Sequence, residues 1–163
     1  MQRSSKIKHF IIDVDGVMTT GQFIYTVDGK VAKIFGPHDS DGLKLISGMV
    51  DVQFITADVR GFEISKKRIV DDLGYPLTLV TEAERFSYIE DLGFQHVAFM
   101  ADGYHDAPIL KRCEISIVPA SARVEACRSA KYVTRSRAAE GAVLDACLYL
   151  KDVLTERYSS HAA

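Results

Sequence analysis

Short apolar runs alternate along the chain with amphipathic stretches of helical period. Ile7 to Asp13 (IKHFIID), Val50 to Thr56 (VDVQFIT), Leu77 to Val80, His96 to Asp102 (HVAFMAD) and Ile115 to Val118 predict buried strands, and Tyr132 to Thr134 a short edge strand. Between them, Asp39 to Ser47, Arg60 to Leu73, Ala83 to Leu92, Ala107 to Arg112 and Ala122 to Ser129 predict helices, with a longer one over Gly141 to Arg157. Gly74 and Gly93 stand where two of these helices should stop. Strands alternating with helices in this way predict an α/β fold: a doubly wound, Rossmann-like parallel sheet with helices on both faces.

One segment breaks the alternation. Phe23 to Phe35 (FIYTVDGKVAKIF) is two β-rich runs around Asp28-Gly29, a strong hairpin signal. An insertion over residues 22–36 cannot join the parallel sheet, so it is expected to project from it after the first strand. Residues 1–158 are expected to form a single domain, and 159–163 a disordered tail.

Composition narrows the class. A chain of 163 residues can bury roughly two thirds of its unfolded surface without staples. Twenty basic against twenty-two acidic residues, net −2, is too balanced for a dedicated nucleic-acid binder. Cys113, Cys127 and Cys147 lack CxxC spacing, which argues against a disulfide framework or a zinc site. The first apolar run, Phe10 to Ile12, is too short for a signal peptide or a spanning helix. The expectation is a cytoplasmic protein with no membrane partner.

In parallel α/β sheets the ligand site lies at the carboxyl ends of the strands. The predicted first strand ends in Asp13-Val14-Asp15-Gly16, the second in Thr56-Ala57-Asp58, and the HVAFM strand in Ala101-Asp102-Gly103, with Asp106 four residues further on. Each alone is an ordinary turn or cap residue. Together they converge on one crevice. Asp13 and Asp15, two apart in extended backbone, are expected to project side by side. Like charges that close need a proton or a cation between them. A hard divalent ion, Mg²⁺ foremost, answers that need, with Asp102 as a third oxygen donor. One carboxylate can then attack phosphorus, and the other can protonate the leaving oxygen and later activate water.

The motif Asp13-Val14-Asp15-Gly16-Val17-Met18-Thr19 resembles the first signature of the haloacid dehalogenase superfamily of phosphohydrolases. Within it, the chain is similar to the capless branch that contains 3-deoxy-D-manno-octulosonate 8-phosphate phosphatase, from about Lys8 to about Leu154. DVDGVMTTG resembles that branch's DVDGVLTDG, Phe35 through Gly42 (FGPHDSDG) its phenylalanine and RDGxG stretch, and Gly141-Ala142-Val143 its late glycine-alanine step. The resemblance implies a Mg²⁺-dependent phosphomonoesterase working through an aspartyl-phosphate, on an eight- or nine-carbon keto-sugar acid phosphate of lipopolysaccharide or sialic acid biosynthesis. It implies Asp13 as nucleophile, Asp15 as general acid and base, and Thr56 as a donor to the transferring phosphoryl oxygens. Arg85 falls where the family has a lysine. Asp13, Asp15 (through its backbone carbonyl), Asp102 and Asp106 would hold or support the metal, and Thr19, Arg60 and Asp39 are candidate substrate-binding residues.

The second motif runs about three residues longer than in these relatives, and Gly103 replaces the usual second aspartate of the fourth. These departures keep open a non-catalytic or regulatory oligomer that binds metal or sugar phosphate without turnover. A phospho-acceptor receiver is disfavoured by the DxDGV pattern and the hairpin after it. The resemblance also implies a homotetramer, in which the apolar hairpin lets neighbouring subunits cover each site.

Overall fold

The structure, a computed structural model, describes residues 7–159. In chain order its strands are β1 (His9–Asp13), β2 (Thr19–Thr26), β3 (Gly29–Phe35), β4 (Asp51–Thr56), β5 (Leu77–Leu79), β6 (Val97–Met100), β7 (Ile115–Val118) and β8 (Tyr132–Val133). Its helices are α1 (Asp39–Leu45), α2 (Phe62–Lys66), α3 (Glu82–Leu92), α4 (Ala107–Arg112), α5 (Val124–Ser129) and α6 (Ala142–Ser159). Six strands form one parallel sheet, ordered β5-β4-β1-β6-β7-β8, and β2 and β3 form a separate antiparallel hairpin. This is the doubly wound α/β sheet that the alternation predicts.

Residue alternation decides which face each side chain serves. Phe10 and Ile12 point to one face of the sheet, where they join Phe54, Met100, Ile117 and Leu150 beneath α1 and α6. Ile11 points to the other, with Ile55, Phe99 and Leu110 beneath α3, α4 and α5. Both faces of β1 are therefore covered, which is why its sequence reads as a continuous apolar run rather than an alternating one.

Register aligns the strand ends. Asp13 pairs with Ile55 of β4, and Ile12 with Met100 of β6. The sheet order departs from β1 in both directions, toward β4 and β5 on one side and β6 to β8 on the other, so the crevice at the end of β1 is the topological switch point.

Several boundaries differ from those expected. The hairpin begins at Thr19, and its pairing is irregular between Thr19 and Phe23 and again between Ile24 and Tyr25. α2 starts at Phe62 and continues through Lys67–Asp72 as a wider π-type turn, with the Leu73 N–H reaching Arg68 O five residues back. β6 stops at Met100, two residues early, and the Asp102 carbonyl instead accepts the Arg123 N–H. Helix α6 extends to Ser159, and the rest of the expected tail, 160–163, lies outside the described residues.

Candidate active site

β1 ends on Asp13, and the chain turns sharply through Val14–Met18. Gly16 makes that turn with φ of +79°, a left-handed conformation that side-chain-bearing residues avoid. The Thr19 hydroxyl oxygen accepts the N–H groups of Gly16 and Gly21 at 3.2 Å each and holds the turn from within. A β-carbon on Gly16 would overlap the Asp102 carboxylate, so this glycine is what lets the β6 loop close onto the end of β1.

A cavity of about 310 Å³ opens here, with Asp13, Asp15, Arg85, Asp102 and Asp106 in its wall. Carboxylate oxygens of Asp13, Asp102 and Asp106 lie within 4.8 Å of one another. Two oxygens bound to one hard divalent ion at about 2.0–2.6 Å cannot be much further apart than that, so the trio fits such an ion. A fork from Arg85, near the start of α3, meets both Asp13 oxygens, Nη1 to Oδ2 at 3.2 Å and Nη2 to Oδ1 at 3.3 Å, and Nη1 also donates to Asp106 Oδ1 at 2.8 Å. Arg85 is delivered by a well-made helix start, in which Thr81 and Glu84 cap each other's backbone.

Electrostatics follow from crowding acids in a buried place. Burial pushes the Asp13 carboxyl well above the usual carboxylate range; Arg85 draws it back, while Asp106, Asp102 and Asp15 push it further up. Asp102 is raised to about 6, by burial first and then by Asp106. Burial opposes the Arg85 charge, but Asp13 and Asp106 outweigh it and keep the guanidinium firmly protonated.

Asp15 stands apart from this trio. Its Oδ2 accepts the Thr56 hydroxyl at 3.1 Å, and its Oδ1 is ion-paired with Lys33 Nζ at 2.8 Å. The side chains of the two motif acids thus have different cationic partners: Asp13 faces a guanidinium and Asp15 an ammonium. The Thr56 hydroxyl hydrogen is engaged by Asp15, and its oxygen accepts the Asp58 N–H at 3.1 Å, so Thr56 sits here as a support for Asp15.

The expected substrate contacts lie elsewhere. Thr19 is fully buried and spent on the turn. Asp39 is buried as well, and its Oδ1 accepts the N–H groups of Val143 and Leu144 at 3.0 and 3.3 Å, closing the first turn of α6. Arg60 is exposed and outside the cavity wall.

Sequence reasoning missed the hairpin's contribution. Lys33 is a buried lysine on β3, and Lys30 and Phe23 line the cavity, with Lys30 Nζ 3.5 Å from the centre of the Phe23 ring. Asp58 ion-pairs with both lysines. Burial raises the Asp58 carboxyl, but hydrogen bonds from Lys30 and Lys33 outweigh it and hold the group below its usual value. The available signal was Asp58 itself, an acid two residues beyond Thr56 that called for a cation.

Comparison with known proteins agrees with this geometry. No family model matches the chain. It is 30% identical over 154 residues to the 3-deoxy-D-manno-octulosonate 8-phosphate phosphatase of Yersinia pestis, covering 90% of this chain and 81% of that one. The Haemophilus influenzae phosphatase of the same name is 29% identical over 147 residues, 86% of this chain and 81% of its own. Among solved structures, a probable YrbI family phosphatase from Pseudomonas syringae superposes with a TM-score of 0.81 at 26% identity, over 99% of this chain and 94% of that one. The cobalt-bound Haemophilus influenzae phosphatase superposes with a TM-score of 0.74 at 25% identity, over 94% and 90% of the two chains. With this fold, this cluster of acids and this likeness along nearly its whole described length, the chain belongs to the 3-deoxy-D-manno-octulosonate 8-phosphate phosphatase family of the haloacid dehalogenase superfamily.

Proposed function

We propose that this protein is a Mg²⁺-dependent phosphomonoesterase that works through an aspartyl-phosphate on a small sugar phosphate, with an eight- or nine-carbon keto-sugar acid phosphate such as 3-deoxy-D-manno-octulosonate 8-phosphate as its substrate. The observation that carries this reading is the division of labour between the two motif acids: Asp13 is forked by Arg85 among further carboxylates, while Asp15 is held separately by Thr56 and Lys33. Relatives of that name and a cavity at the small-ligand end of the usual size range support the substrate class.

In this mechanism an Asp13 oxygen attacks phosphorus, and the bond from phosphorus to the sugar oxygen breaks as Asp15 gives that oxygen its proton. The sugar leaves as an alcohol. A water then attacks the aspartyl-phosphate, Asp15 takes a proton from it, the bond between Asp13 and phosphorus breaks, and inorganic phosphate departs. Arg85 orients Asp13 and offers charge to the phosphoryl oxygens. Asp13, Asp102 and Asp106 would hold Mg²⁺, which when bound neutralises phosphoryl charge and exposes phosphorus to attack.

A homotetramer in a cytoplasmic setting belongs to the same reading. Phe23, Ile24, Tyr25, Val31 and Ile34 are exposed on the hairpin, more apolar surface than an isolated two-stranded element normally leaves to water. Cys113, Cys127 and Cys147 are free thiols, and no helix among the described residues is long and apolar enough to cross a membrane.

The test is phosphate release from a panel of sugar phosphates, with Mg²⁺ and with chelator. Turnover should require the metal, and Asp13→Asn should abolish it while leaving the circular dichroism spectrum unchanged. Full activity in Asp13→Asn refutes the mechanism, and silence on every substrate with Mg²⁺ binding intact favours a non-catalytic sugar-phosphate binder.

A further inference from the structure

We propose that Lys33 is a positioning residue for proton transfer: it fixes the Asp15 carboxyl group for delivery to the leaving oxygen and thereby makes the hairpin part of the acid–base machinery. The inference rests on the role proposed above for Asp15.

Lys33 lies on β3, 18 residues after Asp15, yet its side chain is completely shielded from solvent. An ammonium has three N–H donors and no acceptor. Here Nζ donates a hydrogen bond to Ser65 Oγ at 2.8 Å and forms ion pairs with Asp15 Oδ1 at 2.8 Å and Asp58 Oδ2 at 2.9 Å. Burying a lone ammonium is prohibitive, so the surroundings are arranged to receive it. Ser65 supplies the inward-facing residue of α2, where an apolar side chain would otherwise pack. Gly61 lacks the β-carbon that would collide with Asp58 and sit 2.5 Å from Lys33 Cε.

The consequence for Asp15 is geometric. Its two oxygens are held from different elements, Oδ1 by the ion pair with Lys33 on β3 and Oδ2 by the hydrogen bond from Thr56 at the end of β4, so the carboxyl group is restrained from both sides. Asp58, shared with Lys30, keeps the lysine in place independently of Asp15.

Leaving-group dependence separates positioning from structural support. An alkyl leaving oxygen needs a well-placed proton, whereas p-nitrophenolate departs without one. Wild type, Lys33→Met, Lys33→Arg and Asp15→Asn would be compared for kcat/KM on 3-deoxy-D-manno-octulosonate 8-phosphate and on p-nitrophenyl phosphate. Lys33→Met should lose at least about tenfold on the sugar phosphate, within the range general acid catalysis supplies, and less than about threefold on the aryl ester. Lys33→Arg, which keeps the charge but cannot place a single nitrogen among three acceptors, should show the same selectivity more weakly. If Lys33→Met does not fold, the ratio in Lys33→Arg decides. An equal loss on both esters, or no loss on either, overturns the inference while an impaired Asp15→Asn upholds the acid–base reading. Wild-type rates in Asp15→Asn overturn that reading itself.

Discussion

Replacing Asp102 by asparagine should stabilise the metal-free protein at neutral pH, the reverse of what losing a buried ionised group usually does. Asp102 titrates at about 6 against an ordinary 3.8, because burial and then Asp106 resist its charge. Each pH unit of displacement corresponds to about 1.4 kcal/mol, so ionised Asp102 costs the fold about 3 kcal/mol. The folded value lies above the unfolded one. The favourable contribution is therefore complete below about pH 3.8 and is lost as pH rises through about 6. Asparagine has no such loss. In urea unfolding with chelator, Asp102→Asn should match wild type near pH 4 and exceed it by about 3 kcal/mol near pH 7.5. Added Mg²⁺ at about a thousandfold excess over Kd should reverse the order, since only wild type gains the binding term, about 4.1 kcal/mol there. A variant no more stable than wild type near neutrality in chelator, or a gap that does not change with pH, refutes the reasoning.

Other substitutions probe separate parts of the molecule. Gly16→Ala should cost about 1–2 kcal/mol for the left-handed backbone and, by displacing Asp102, weaken Mg²⁺ binding by about tenfold or more in calorimetric titration; unchanged affinity would mean that the glycine is no cradle. Asp39→Ala should lose about 1–2 kcal/mol of stability with the helix cap, Asp39→Asn much less, and both should keep the wild-type KM, whereas a raised KM in both would return Asp39 to the substrate. Ile24→Glu should lower the mass measured by light scattering if the hairpin is the subunit contact, and an unchanged mass removes that face from the assembly.

The sheet and its strand ends were legible because they depend on local pattern. Phe10 to Ile12, Phe54 to Thr56 and Val97 to Met100 are apolar runs too short for helices, and in a parallel sheet their carboxyl ends must share an edge. That pattern alone places Asp13, Thr56 and Asp102 near one another. Arg85 was found through the resemblance, at the place just inside a helix where the family has a lysine, and a helix start delivers side chains predictably. Residues whose role depends on long-range partners were not legible. Asp39 and Thr19 look like loop acceptors awaiting a ligand; only the packing of α6 and the curl of the turn show that backbone N–H groups already occupy them. Lys33 was hidden for a different reason. The irregular register between Ile24 and Tyr25 breaks strict alternation in the hairpin, so Val31 is exposed while Lys33, at the same phase, is buried.

The clamp on the turn after β1 comes from remote sequence. The Ala139 N–H donates to Val17 O, the Ala139 carbonyl occupies the space a side chain would need at Gly36, and Asp39 closes a helix start 104 residues downstream. On the ribosome these partners emerge after all the strands of the sheet. A nascent chain can therefore display DVDG for most of its synthesis with only the Thr19 hydroxyl and the early strands to shape its turn, and the complete clamp waits for the arrival of the last helix.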